Sequence, residues 1–174
     1  MQNRTRRPLV TGGIWLGLGL GGFFDGIVFH QILQWHHMLT SAGYPPISVA
    51  NLHLNTLADG LFHAATYLFT LIGLTVLWRA STRNGIIWSA PVLIGAILIG
   101  WGIFNLVEGL IDHQLLGLHH VRDDLPPGPA KLGWDLAFLA WGALMLASGW
   151  WLTRWDDARR IPEQNHGARS AHTG

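Results

Sequence analysis

Four stretches of this chain are each long and apolar enough to cross a bilayer, and that constraint governs everything else the sequence can do. A hydrocarbon core of about 30 Å takes roughly 20 apolar residues in helical form. With no water to satisfy backbone amides, only helices or closed barrels span it. The stretches run over about residues 9–34, 57–78, 86–116 and 134–152. Between them lie two Pro/Gly turns, "SAGYPPISVANLH" and "DDLPPGPAK", and a short basic connector, "RASTRNG". Only 12% of the 174 residues are charged and 49% are hydrophobic, too little charge to clothe a soluble domain of this size. The predicted fold is all-α: one four-helix transmembrane bundle over residues 1–160, followed by a polar, disordered tail over 161–174 that carries His166 and His172. The start, "MQNRTRRPLVTGG", has the basic character of a signal peptide, but no A-x-A site follows, so it reads as a retained first span.

The basic residues orient the spans. Arg4, Arg6, Arg7, Arg79, Arg83, Arg154, Arg159, Arg160 and Arg169 fall on one side, Arg122 and Lys131 on the other. The positive-inside rule then puts both termini in the cytoplasm of a bacterial inner membrane. Trp35 and Trp134 mark the outer interface, and Trp78, Trp88, Trp151 and Trp155 the inner one. A net charge of +1 excludes nucleic acid as a partner. The expected partners are the lipid bilayer, other membrane subunits or a second copy of the chain.

A shift of 83 residues carries Pro8 onto Pro91, Gly12 onto Gly95, Gly17 onto Gly100, Asp25 onto Glu108, His30 onto His113, Gln31 onto Gln114, and the pair His36, His37 onto His119, His120. Asp59 and Asp135 lie at corresponding outer starts of the second and fourth spans. The register points to a two-helix hairpin duplicated once, its halves parallel and related by a pseudo-twofold axis along the membrane normal. Glycines at four-residue spacing, Gly13, Gly17 and Gly21 with Ala96 and Gly100, read as close-packing surface.

The chemistry lies in "DGIVFHQILQWHH" (25–37), "DGLFH" (59–63) and "EGLIDHQLLGLHH" (108–120). At 100° per residue, Asp25 and His36 share one helical stripe while His30 and His37 fall on another; Glu108, Asp112 and His119 share the first stripe of the second copy, His113 and His120 the other. Asn55, Asp59 and His63 form a line at four-residue spacing. With the first span centred near Gly21, Asp25 lies about 6 Å and His30 about 13 Å outward of the midplane. That puts the site in the outer leaflet, with His36, His37, His119 and His120 at its mouth. His37 and His120 singly, and His53 in the first outer loop, read as interfacial or solvated residues.

A carboxylate in hydrocarbon costs at least ~2.5–3.5 kcal/mol, and no Lys or Arg inside the spans is available to pair with these acids. Imidazole with carboxylate, and no Cys, suits Zn²⁺, Fe²⁺, Mn²⁺ or Cu²⁺ rather than Cu⁺. The expected ligand set is Asp25, His30, His36, Asp59, His63, Glu108, Asp112, His113, His119 and Asp135, enough for one ion or two, serving redox chemistry or metal handling. Two alternatives stand. The same groups can hydrogen-bond across helices in a cofactor-free assembly or scaffold subunit of a membrane complex, or His30 and His113 can ligate haem in an electron-transfer protein. A proton or cation path right through is disfavoured by apolar inner halves such as "LFTLIGLTVL". No phosphate loop, G-x-S-x-G or H-E-x-x-H is present, so whether the chain is an enzyme stays open.

The stretches "GFFDGIVFHQILQWHHML", "NTLADGLFH" and "EGLIDHQLLGLHHVR" resemble the bacterial family filed as domain of unknown function 2243, predicted four-span membrane proteins, over nearly the whole chain to about Arg154. The family brings no established activity. Its members' occurrence beside genes for cytochrome oxidase assembly or metal handling implies an outward-facing metal role.

Overall fold

The computed structural model describes residues 5–170, with side chains through residue 156. Four helices, each long and apolar enough to cross a membrane, make up the fold: α1 (Arg7–Phe24), α2 (Val49–Ser81), α3 (Ala90–Glu108) and α4 (Pro129–Ser170). α1 and α3 each run on into a π-helical segment, Asp25–Ile32 and Gly109–Leu115. No sheet forms among the described residues; a single bridge pairs Thr5 with Ile86.

Local chemistry explains the starts. α1 and α3 have Pro in their first turn, where its missing N–H costs nothing. Ser48 caps α2 by accepting from the Asn51 amide, and Ser89 caps α3 by accepting from Val92. α2 therefore begins at Val49, well before the apolar run that opens at Leu57, because a capped first turn stays helical through polar Asn51 and Asn55. α4 likewise begins at Pro129 and continues to Ser170. The side chain of His166 and all of His172 lie outside the described part of the molecule.

α1 packs on α2 and on α3, and α3 packs on α4, while α2 and α4 make no contact among the described residues. The helices thus do not converge equally on one axis; α1 and α3 form a central pair flanked by the other two. Glycine sets the separation of that pair. A Cβ at Gly17 would run into the Ile97 carbonyl, and one at Gly100 into the Ile14 carbonyl, so the two backbones touch where neither residue has a side chain. The outward faces of α2 and α4 expose Leu57, Leu61, Leu68, Leu144 and Trp151, an apolar surface that lipid covers.

The two ends differ. At one, Thr5 donates to Gly85 O (3.0 Å), Ile87 donates to Thr5 O (3.1 Å), and Arg6 pairs with Asp156 at 2.9 Å. At the other, the two π-helical segments give way to the loops of residues 33–48 and 116–128, which hydrogen-bond to each other: Ser41 and Ala42 donate to Leu118 O, and Asp123 donates to Trp35 O. Arg122 lies over the Trp35 ring at 4.6 Å and near Trp134 at 5.5 Å, a cation–π clasp across the loops.

Because the Gly17 contact is backbone on side-chain-free backbone, Gly17→Ile should force α1 and α3 apart and cost roughly 1–3 kcal/mol or more, as overpacking does. Thermal unfolding in mild detergent should show a clear drop in Tm, whereas the same change at Gly60, where a Cβ meets nothing within 4 Å, should leave it near the parent value.

Candidate metal centre

The π-helical segments decide which side chains meet. In an α-helix, residues five apart diverge by about 140°, which splits Asp25 from His30 and Glu108 from His113. In a π-helix the hydrogen bonds run over five residues, as in Leu33 N–H to Val28 O and Leu116 N–H to Ile111 O, both 2.8 Å. Residues five apart then share a face. His30 Nε2 comes to 3.0 Å from Asp25 Oδ2, and His113 Nε2 to 3.9 Å from Glu108 Oε1. The two stripes expected from α-helical spacing are merged into one.

The loops complete the cluster. After each π-helical segment the backbone turns through positive φ, 51° at Gln34 and 58° at Gly117, and folds back over the helix ends. This carries His36 and His119 inward; they are 2% and 0% exposed, at the heart of the site rather than at its mouth. Asp25, His30, Glu108 and His113 are also almost wholly buried. Three groups each gather ligand atoms within 4.8 Å: His30, His36 and His119; Glu108, His113 and His119; Asp25, His30 and Glu108. The imidazoles pack at ring-centroid distances of 4.4 Å (His30–His36), 4.6 Å (His36–His119) and 4.8 Å (His113–His119).

The partners on the far side of each ring fix its tautomer. His36 Nδ1 lies 3.0 Å from Val121 O and His119 Nδ1 lies 3.3 Å from Met38 O, each loop holding a histidine of the other. A carbonyl only accepts, so Nδ1 carries the hydrogen in both and Nε2 has a bare lone pair. His30 Nδ1 faces the Asp59 Oδ1 acceptor at 2.8 Å and so carries a hydrogen too; its Nε2 is free to ligate when the ring is neutral. Inside the cluster His30 Nε2 lies 3.0 Å from Asp25 Oδ2 and His119 Nε2 lies 3.4 Å from Glu108 Oε1, contacts that take either a shared proton or a cation between the two groups. Both Asp25 oxygens, His30 Nε2, His36 Nε2, Glu108 Oε2 and both His113 nitrogens are buried without a hydrogen-bond partner. Two unprotonated acceptors at these distances repel; a proton shared between them or a cation bound to both removes the repulsion.

Asp59 and Asp135 sit behind the rings, their oxygens engaged by protein donors. Asp59 accepts from Met38 N–H (2.9 Å) and Gln31 Nε2 (3.5 Å), and its oxygens meet His30 Nδ1 and His37 Nδ1 at 2.8 and 2.7 Å. Asp135 accepts from Val121 N–H (3.0 Å) and Gln114 Nε2 (3.3 Å), and meets His120 Nδ1 at 2.7 Å. Asn55, one turn before Asp59, accepts from Leu39 N–H (2.9 Å) and donates to Tyr44 O (2.7 Å), tying the first loop to α2.

Two expected ligands stand apart from these groups among the described residues. His63 lies against Gly26 and stacks near Phe23 at 6.2 Å, its Nε2 buried without a partner. Asp112 is half-buried one turn beyond Glu108. Conversely, His37 and His120, read as interfacial from sequence, are the rings bonded to Asp59 and Asp135. The recurrence of the His-His pair at the same offset in both halves was the signal that both members of each pair are used.

His36 and His119 lie on the loops beyond the spans. Burial pushes the His36 imidazole down to about 4, against the opposing pull of the Asp25 carboxylate. Burial, with His36 and His30 close by, pushes His119 down to about 3. Both rings are neutral at pH 7 and able to ligate. A lowered histidine value means that the unfolded chain binds protons the folded one refuses, so stability is intact above pH about 6.5 and is lost as pH falls toward 4. The metal-free protein should therefore melt at a lower temperature at pH 5 than at pH 7, and His36→Phe should flatten that dependence; equal pH sensitivity in parent and variant would exclude this cause.

A model of the family described as predicted membrane protein (DUF2243) matches residues 12–156. No curated protein and no solved structure matches the chain.

Proposed function

The chain belongs to the DUF2243 family of predicted membrane proteins, and on that premise we propose that it holds divalent transition-metal ions between the outer ends of α1 and α3, for redox chemistry or metal handling. The observation that carries this reading is a buried cluster of four imidazoles and two carboxylates whose ligand atoms gather within 4.8 Å, several of them without a hydrogen-bond partner, with no Lys or Arg among them. A cation of charge two answers both the repulsion and the burial of the acids.

Atoms bonded to one ion at about 2.1 Å lie no more than about 4.2 Å apart, so ligand atoms gathered within 4.8 Å need to close by only a few tenths of an ångström. The six residues form overlapping triads rather than one group, which suits two ions sharing Glu108, His30 and His119 better than one ion. Asp59 acts as the outer partner that orients the ligating His30. The duplicated hairpin fits the same reading: Asp59 with His30 and His37 has its counterpart in Asp135 with His113 and His120, and His36 with Val121 O in His119 with Met38 O. Zn²⁺, Fe²⁺, Mn²⁺ and Cu²⁺ all suit the donors; Zn²⁺ would be cargo or structural, the others able to pass electrons. The distribution of Arg favours a bacterial inner membrane with this end outward and both termini cytoplasmic.

Haem fits less well, since the imidazoles are packed ring on ring at 4.4–4.8 Å and leave no gap of macrocycle width between them. A cofactor-free scaffold would have to satisfy these seven buried acceptor or ring-nitrogen atoms by protonation alone. Elemental analysis of protein purified in mild detergent tests the proposal. About two transition-metal ions per chain are expected, falling to none in the double variant His36→Ala, His119→Ala. Metal-free protein that cannot be loaded, or is indifferent to chelator, would establish the scaffold reading, and a Soret band the haem reading.

A further inference from the structure

The two halves of the site differ in how they meet the surface. Next to Asp59, His37 is 11% exposed in its side chain, and the loop of residues 33–48 is held down over it by Asn55. Next to Asp135, His120 is 29% exposed and lines a cavity of about 230 Å³ together with Asp135, Gln114, Pro127, Lys131 and Leu132. The ring behind is also held differently. His30 Nδ1 is hydrogen-bonded to Asp59 at 2.8 Å, whereas His113 Nδ1 is 3.6 Å from Asp135 and neither of its nitrogens has a hydrogen-bond partner. A ring held by packing alone can swing, and a ligand that swings can hand over an ion.

From these three differences we propose that the cavity at the start of α4 is the port through which a divalent cation reaches the centre, passing from the aqueous loops to His120, Asp135 and Gln114 and then to His113. The inference rests on the metal reading above and adds the route. Its donors form a continuous chain: Gln114 Nε2 and His120 Nδ1 both contact Asp135 Oδ2, at 3.3 and 2.7 Å, and Asp135 Oδ1 lies 3.6 Å from His113 Nδ1. Imidazole, carboxylate and amide oxygen are ligands for the same borderline cations that the centre suits. The one ammonium at the rim, Lys131, is tied to Asp123 Oδ1 at 3.0 Å, which offsets its repulsion of an approaching cation. On this route the ion beside His113 exchanges with solvent, and the one beside His30 is enclosed.

Co²⁺ serves as the probe, because its ligand-field absorption reports binding as it happens. Metal-free protein in mild detergent is mixed with excess Co²⁺ and the absorption followed in time. Leu132→Trp fills the cavity from an exposed position and should slow uptake roughly tenfold or more while leaving the final Co²⁺ content unchanged. Pro127→Trp, at the loop side of the same cavity, should do the same, guarding against a local folding effect of either change. Ile47→Trp, on the exposed first outer loop, should bind at the parent rate. Uptake unchanged in both cavity variants, or slowed equally by Ile47→Trp, overturns the port and leaves the metal centre standing. Parent protein that takes up no Co²⁺ overturns both.

Discussion

An imidazole nitrogen and a carboxylate oxygen held about 3 Å apart in a medium without water must share a proton or a cation; the rest of this structure is organised around that contact. His30 against Asp25 and His119 against Glu108 are the two instances. Each exists because backbone or carboxylate acceptors behind the rings claim the Nδ1 hydrogens, which turns the Nε2 atoms inward onto the acids. The helical scaffold supplies the proximity. Gly17 and Gly100 let α1 and α3 touch, and the π-helical turns rotate acid and histidine onto the shared face.

The outer helices take a different part. α2 and α4 do not meet each other among the described residues, and the polar residues near their starts face inward and grip the loops. Asp59 holds the amide of Met38 and Asp135 that of Val121, the same two residues whose carbonyls orient His119 and His36. Each loop therefore positions a histidine of the other, and the pair closes as a unit. Buried hydrogen-bond networks of this kind resist piecemeal change, because removing one member leaves its partners unsatisfied in a low-dielectric setting.

Much of this was legible in the residues. The spans follow from apolar length, and the acids and histidines of the site were recognisable as out of place in hydrocarbon. Their arrangement was less so. Reading Asp25 and His30 at 100° per residue separates them, because α-helical geometry is the default and nothing in "DGIVFHQI" announces a switch to five-residue hydrogen bonding. His36 and His119 follow Trp35 and Leu118 at the ends of apolar runs, where a helix would carry them toward water; a turn through positive φ at Gln34 and Gly117 brings them back. Asp59 and His63 share a helical line, but only Asp59 reaches the cluster, since His63 is one turn deeper and meets Gly26 and Phe23.

What the sequence determined by itself is the membrane, the four helices and the inventory of donors, since these depend on local composition and on the cost of placing charge in lipid. The tertiary structure alone decided which nitrogen of each histidine faces inward, which acids face the cluster and which stand behind it, and which half opens to a cavity. Those outcomes hinge on directions and distances of a few ångströms between segments some eighty residues apart, and side-chain direction at that scale is a property of packing that no single stretch of chain contains.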